Sequence, residues 1–165
     1  MTNESSSRRV FLAIVLLLLA SVIATAIFGW VVMQNVRETA TRTDRDMRTV
    51  AWASIAWACE HDGRFPRNEQ ELLSMAPLPT SISCAPVGEE SWPTTLSGAL
   101  EGAEPPSLEE AYDRIEVYYS SDGMLPPVVE PGGLPMLLDT KETVVGWMSA
   151  FEIAAEGAPE TPPSE

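Results

Sequence analysis

An unbroken apolar segment near the N-terminus constrains this chain more than any other feature. The segment Val10–Met33 has 24 residues, contains neither a charged residue nor a proline, and directly follows Arg8 and Arg9. As an α-helix with about 1.5 Å of rise per residue it would reach roughly 36 Å, more than a hydrocarbon core of about 30 Å. The sequence therefore predicts one transmembrane helix over 10–33, preceded by a short cytoplasmic N-terminus over 1–9.

Two alternatives to a retained anchor arise from the same segment. Ala24-Thr25-Ala26 offers a cleavage site for a signal peptide, but the apolar run continues past it and is longer than the roughly 7–15 residues usual in such signals. Ser7-Arg8-Arg9-Val10-Phe11-Leu12 resembles a twin-arginine export motif, but its apolar core is more hydrophobic than is usual there. We therefore expect an uncleaved signal-anchor.

The positions of the arginines do not decide the orientation of the span in the membrane. Two arginines precede the span, whereas four follow it between Arg37 and Arg48, so a literal positive-inside count would keep the C-terminal part in the cytoplasm. Large domains, however, translocate largely regardless of charge. We predict a single-pass protein of the inner (cytoplasmic) membrane whose C-terminal domain is extracytoplasmic.

The helical pattern continues beyond the membrane boundary. Neither glycine nor proline occurs from Gln34 to Glu60, and apolar or weakly polar side chains recur every three or four residues, which places them on one face of a helix. Gly63 and Pro66 then end the pattern. The sequence predicts an amphipathic helix over 34–61 that continues the span, half exposed at first and buried against a domain at its end. A break just after the span, giving two helices, is the alternative.

The remaining chain predicts a small α+β domain over 62–157 and a disordered, proline-containing tail over 158–165. Capping boxes at Asn68 and Ser107 predict two short helices. Alternating apolar and polar residues predict a strand over 114–120. We expect three or four antiparallel strands packed on the second half of the long helix. The further candidates are strands at Val128–Val129, Met136–Leu138 and Thr143–Trp147, and a helix from Ser149 to Glu156.

The charge of this domain limits its partners. From Thr49 to the C-terminus there are 20 acidic residues against 4 basic ones, a net charge of −16. Such a surface repels phosphate backbones, so we expect no nucleic-acid partner. A basic protein surface or calcium is compatible with it, and so is a simple solvated surface that keeps the domain soluble.

The cysteines and the single histidine form no recognisable catalytic or metal motif. Cys59 and Cys84 lie 25 positions apart. A disulfide between them would contribute about 3 kcal/mol, and two buried free thiols are the alternative. Cys59, His61 and Cys84 lack the paired ligand spacing of a zinc site. The acidic residues near predicted turns lack the spacing of a calcium loop. We therefore predict no enzyme activity, no catalytic residues, no metal site and no cofactor.

The order of these elements resembles the type IV pilins and the pseudopilins of type II secretion. The segment His61-Asp62-Gly63-Arg64-Phe65-Pro66-Arg67-Asn68-Glu69-Gln70-Glu71-Leu72-Leu73 is similar to the stretch that follows the long helix in pseudopilins, where a Gly-x-aromatic-Pro turn leads into a short helix. The resemblance covers residues 10 to about 75. It implies a pilin-like fold and makes Gly63, Phe65 and Pro66 a turn motif.

The chain departs from the pilin pattern at the processing site. The family has a glycine before a phenylalanine or methionine and a glutamate five positions after the cut. Here Val10 precedes Phe11, and Val15 stands at the glutamate position. We expect no prepilin-type cleavage. The resemblance implies a non-enzymatic protein that contacts envelope proteins, or itself through the N-terminal helix, in a secretion or pilus-type assembly. The alternative is a membrane-tethered acidic domain that binds a ligand or calcium.

Overall fold

The computed structural model describes residues 3–84 and 92–156 and divides into two units, Met1–Glu38 and Thr39–Glu165. Its longest element is α1, Asn3–Glu60, which has no interruption at Gln34 or Asn35. The predicted long N-terminal helix is therefore confirmed. The remaining elements in chain order are α2 (Glu69–Leu73), α3 (Leu96–Ala99), α4 (Leu108–Tyr112), β1 (Glu116–Tyr118), β2 (Val128–Glu130) and α5 (Thr140–Glu156).

The first unit is helical and exposes an apolar surface. All side chains from Phe11 to Glu38 are exposed, including large ones such as Leu17 and Phe28. Among the described residues, α1 is the one helix that is long and apolar enough to cross a membrane, a test that a signal sequence near an N-terminus also passes. An exposed helix that is apolar all round is typical of a membrane span.

The second unit is built around the C-terminal part of α1. From Thr43 to Ala56 every residue is buried except Arg45, which is half-buried. The sequence predicts a helix that is half exposed at first and buried at its end; the buried end is confirmed, but burial begins earlier than expected, at Thr43. Small residues let other segments approach closely, and the hydroxyls of Thr43, Thr49 and Ser54 donate hydrogen bonds to carbonyls one turn earlier at 2.7–2.9 Å. The helix is therefore the centre of this unit's core.

The sheet is smaller than predicted. β1 and β2 pair antiparallel, with Glu116 opposite Glu130, Val117 opposite Val129 and Tyr118 opposite Val128. They are the two paired strands of the described residues, apart from an isolated bridge between Ser81 and Thr95. The fold is α+β, as predicted, but the expected third and fourth strands are absent from 3–84 and 92–156.

Helix α5 replaces one of those strands. Thr143–Trp147 lies inside α5, and Ser149 is an exposed residue in the interior of that helix rather than the cap of a shorter one. The buried positions Val144, Met148 and Phe151 are spaced by four and three residues, which is a helical period. Met136–Leu138, the other strand candidate, is a loop segment that leads into α5.

The capping predictions are confirmed. The Asn68 side chain accepts a hydrogen bond from the Glu71 N–H at 3.0 Å, and the Ser107 hydroxyl accepts one from the Glu110 N–H at 3.2 Å. Helix α3, capped by Thr95, is not predicted. The predicted tail over 158–165 lies outside the described residues.

Candidate functional site

The end of α1 is a turn that the sequence singles out. The N–H of Gly63 donates to the carbonyl of Ala58 at 2.9 Å, and both Asp62 and Gly63 have positive φ. This arrangement satisfies a carbonyl at the helix end and needs a residue that tolerates the left-handed region, as glycine does. Pro66 is fully buried in the core. The motif therefore ends the helix and directs the chain back into the domain.

Phe65 fixes this turn against the rest of the unit. Its side chain is 2% exposed and meets the ring of Phe151 edge to face, with centroids 5.5 Å apart. Its N–H donates to the carbonyl of Gly123 at 2.9 Å, in the connection between β1 and β2. Gly63, Phe65 and Pro66 thus have a structural role in this molecule.

An open cleft of about 620 Å³ lies beside the turn. His61 stacks on Trp57 with ring centroids 3.6 Å apart, and its Nδ1 donates to the Trp57 carbonyl at 2.8 Å. That contact orients the imidazole and leaves Nε2 as its other hydrogen-bonding atom. The cleft is lined by Trp57, Glu60, His61, Asp62, Arg64, Phe65, Arg67, Glu71 and Asp122.

Several charges in the cleft are already engaged. Arg67 donates to Glu71 from Nη2 and Nε, at 2.7 and 3.1 Å, and from its backbone N–H at 2.8 Å. The hydrogen bonds from Arg67 hold the pKa of Glu71 below its ordinary value. Asp122 accepts from the Ser120 hydroxyl and the Met124 N–H, which lower the pKa of its carboxyl. Both carboxylates therefore accept a hydrogen bond from a nearby backbone N–H, which stabilises the local backbone.

The lining of the cleft is aromatic and charged. The described lining residues include no serine, threonine, cysteine or lysine, so they place no hydroxyl, thiol or amine nucleophile of those types beside His61. An aromatic stack flanked by charges of both signs suits polar contact with another surface. In the sequence, most of the cleft corresponds to the segment Trp57–Arg67. The turn motif of Gly63, Phe65 and Pro66 includes only part of that segment.

Cys59 and Cys84 form a disulfide with Cα atoms 5.7 Å apart. It ties the end of α1 to the segment that follows α2. Because both sulfurs are in the bond, Cys59, His61 and Cys84 do not provide thiolate ligands for zinc.

The acidic residues that could hold calcium are dispersed. No three His, Cys, Asp or Glu side chains within 3–84 and 92–156 converge as a metal site would require. The candidates near turns or at helix starts are all exposed: Glu109, Glu110, Asp113, Asp122, Asp139 and Glu142.

A buried ion network lies at the other end of the second unit from the cleft. The sequence patterns do not predict it. Arg48 Nε donates to Asp44 Oδ1 at 2.9 Å, and the Thr140 hydroxyl donates to the same oxygen at 2.7 Å. Burial alone would lower the pKa of Arg48, but the hydrogen bonds and charges of Asp44 and Glu101 outweigh it, so that pKa is raised. The spacing of Asp44 and Arg48 predicts a surface pair, whereas both are buried.

Asp46 forms a second buried ion pair on α1. Arg114 donates to its two carboxylate oxygens, each at 2.7 Å, and the Asp46 side chain is 1% exposed. The hydrogen bonds to Asp46 raise the pKa of Arg114. A smaller cleft of about 220 Å³ adjoins this pair. It is lined by Arg42, Arg45, Asp46, Glu104, Pro105, Pro106, Glu110 and Arg114.

Tyr118 and Trp147, two aromatic residues of the domain, differ in exposure. Tyr118 is 57% exposed on β1, and its hydroxyl donates to Glu116 at 2.6 Å, which raises the pKa of the phenol. Trp147 is half-buried, and the Arg48 guanidinium lies 5.7 Å from its ring centroid. Tyr118 is thus the accessible one.

Comparison of the chain with protein-family models, with curated proteins and with solved structures finds no match. The functional argument therefore depends on the residues and contacts described above.

Proposed function

We propose that this chain is a single-pass, non-enzymatic membrane protein that presents an extracytoplasmic domain for contact with other envelope proteins. The observation that carries the proposal is the exposed apolar helix followed directly by the core of a small domain. The Cys59–Cys84 disulfide supports the location, since disulfides persist in oxidising compartments. The open cleft at the end of α1 is the contact surface that we propose.

The family-level part of the proposal is a pilin- or pseudopilin-like role in a secretion or pilus-type assembly. The Gly63-Arg64-Phe65-Pro66 turn and the long helix support it. The burial of Thr43–Ala56 on every face limits how such a protein would assemble, because that part of α1 is covered by its own domain. Self-association through α1 is accordingly restricted to the apolar N-terminal part of the helix.

Membrane topology tests the anchor and the compartment together. Alkaline phosphatase fused after Glu165 should be active in cells, and a green fluorescent protein fused there should be dark if it is exported unfolded. The full chain should resist extraction by alkaline carbonate. As a matched control, replacing Leu17 and Leu18 by arginine should release it. A fluorescent fusion with inactive phosphatase would overturn the extracytoplasmic location.

The cleft is tested by photocrosslinking in intact cells. A photoreactive residue at Arg64, in the cleft, should form adducts with a defined envelope protein, whereas the same residue at Ile153, exposed on α5, should not. Equal adducts at both positions would argue against the cleft as the contact surface.

The alternative, a membrane-tethered domain that binds calcium, rests on the acidity alone. Calcium should then raise the melting temperature of the full chain in detergent by several degrees, and magnesium at the same ionic strength should not. The dispersed acidic residues give no site of this kind within the described residues, so we expect no difference between the two ions.

A further inference from the structure

An uncharged turn before α5 exposes leucines to solvent. Residues 131–138 read Pro-Gly-Gly-Leu-Pro-Met-Leu-Leu. Leu138 is 99% exposed, and Leu134 and Leu137 are each 37% exposed. A fully exposed leucine next to two others is unfavourable in water, because apolar area in contact with water carries a free-energy cost. Patches of this kind mark contacts with another surface.

This turn lies at the end of the domain where α1 enters it. The Thr140 N–H donates to the Leu137 carbonyl at 3.3 Å, and the Thr140 hydroxyl donates to Asp44 at 2.7 Å. The turn therefore ends at a residue that is hydrogen-bonded to Asp44, near the start of the second unit. The cleft beside the β1–β2 connection, by contrast, lies at the other end of the buried part of α1.

Chain connectivity keeps this end of the domain near the bilayer. Thr39, the first residue of the second unit, follows Met33 by six residues. Even a fully extended chain spans at most about 3.5 Å per residue, or about 21 Å in all. The chain itself thus holds Thr39, where the second unit begins, within about that distance of the predicted end of the span.

Two arginines of α1, Arg42 and Arg45, lie near the start of the second unit. Arg42 is exposed and Arg45 is half-buried in the smaller cleft beside Asp46, and Arg45 Nε is buried without a hydrogen-bond partner among the described residues. Arginine forms strong hydrogen bonds with phosphate oxygens. Glu104 and Glu110 also line that cleft, and the domain as a whole is acidic, so the apolar turn must provide the main attraction.

We propose that the Leu134–Leu138 turn inserts into the interfacial region of the bilayer that holds the N-terminal span, with Arg42 and Arg45 facing lipid phosphates. This inference rests on the proposed membrane anchor. It gives the domain a second membrane contact besides the span.

Spin labelling of the full chain in proteoliposomes tests the insertion. Single cysteines would be introduced by Leu138→Cys in the turn, Met124→Cys in the β1–β2 connection and Val22→Cys in the span, and labelled without reductant so that the Cys59–Cys84 disulfide stays closed. Leu138 and Met124 are 99% and 64% exposed, so neither label disturbs packing. Collision with oxygen, enriched in lipid, is compared with collision with a water-soluble nickel chelate.

The expected result is a ratio of oxygen to nickel collisions at position 138 that is shifted toward the value at position 22 and away from the value at 124. A ratio at 138 equal to that at 124, with a lipid value at 22, overturns the insertion and leaves the anchor intact. A water-like value at 22 overturns the anchor, and the insertion with it. A label at 138 that is immobile and inaccessible to both reagents indicates a protein contact instead and also overturns the insertion.

Discussion

Gly123 is the position where a single methyl group has the clearest cost. Its φ is +69°, and a Cβ atom there would lie 2.7 Å from the carbonyl oxygen of Phe65. The same carbonyl belongs to the residue that joins the α1 turn to the β1–β2 connection. Both the backbone conformation and the close approach therefore require glycine.

We predict that Gly123→Ala lowers the free energy of unfolding by about 2–3 kcal/mol, because the methyl adds a clash to the conformational cost. Gly133→Ala is the matched control, since Gly133 has a φ of +78° but nothing within 4 Å of the added Cβ. It should cost only about 1 kcal/mol. Urea unfolding of the full chain in detergent, followed by tryptophan fluorescence, measures both. Equal losses would show that the contact with Phe65 is not tight.

Asp46 is the buried charge on which Arg114 depends. We predict that Asp46→Ala costs about 3 kcal/mol, because it leaves the Arg114 guanidinium without its bidentate partner in a mostly buried site. Glu130→Ala removes a similar contact, the 2.7 Å pair with Lys141, at the surface, and it should cost less than about 1 kcal/mol. Thermal melting of the two variants gives the comparison. Similar melting temperatures would contradict the assigned burial of Asp46.

Glu71 gives a prediction for acid stability. Because Arg67 depresses its folded-state pKa, the carboxylate contributes stability above the unfolded pKa of about 4.3, and this contribution is lost as the pH falls through the lower folded pKa. Glu71→Gln should therefore lower the melting temperature near pH 6 and make the decline below pH 4 shallower. Melting curves from pH 2 to 7 test this. Parallel curves for the two proteins would exclude the linkage.

At the scale of elements, the sequence predicts what local patterns encode. The long apolar run, with the absence of glycine and proline from Gln34 to Glu60, gives α1, and the N-caps at Asn68 and Ser107 give α2 and α4. The alternation around Val117 correctly predicts β1. These signals depend on residues within one or two turns of each other, so they need no knowledge of tertiary contacts.

The misses have tertiary causes. Thr143–Trp147 contains β-branched residues that favour a strand, but burial of Val144, Met148 and Phe151 against the core requires the helical period of α5. The polar residues Asp44, Asp46 and Arg48 indicate an exposed face, yet distant partners at Thr140, Arg114 and Glu101 satisfy them inside the unit. The cleft is not predicted for the same reason, because Asp122 in its lining comes from the β1–β2 connection, far away in sequence.

The burial of α1 from Thr43 to Ala56 yields a further prediction. Ala53 is 0% exposed, so Ala53→Leu should overpack the core and cost about 1–3 kcal/mol. Ser149→Leu, at an exposed position of α5, should change stability by no more than about 0.5 kcal/mol. Chemical unfolding of the two variants shows whether this face of α1 is covered by the domain or open to solvent. A tolerated leucine at position 53 would mean that this side of α1 is free.

At the scale of the whole molecule, the disulfide stabilises the domain through the unfolded chain. Cys59 and Cys84 close a loop with a sequence separation of 25, which is worth about 3 kcal/mol in the chain-entropy model. Replacing both cysteines by serine should lower the free energy of unfolding by about that amount. Adding a reductant should destabilise the wild-type chain but not the double variant. If a reductant has no effect on either protein, the bond is absent from the native protein.

The position of α1 in the second unit has a mechanical consequence. The part of α1 from Thr43 to Ala56, separated by nine residues from the apolar N-terminal segment, is the longest buried stretch of the domain. A pulling force that enters through the N-terminus is therefore delivered to the middle of the fold rather than to a peripheral strand. The domain therefore resists gradual unfolding from one edge, because such a force must pull its central helix out of the core in one event.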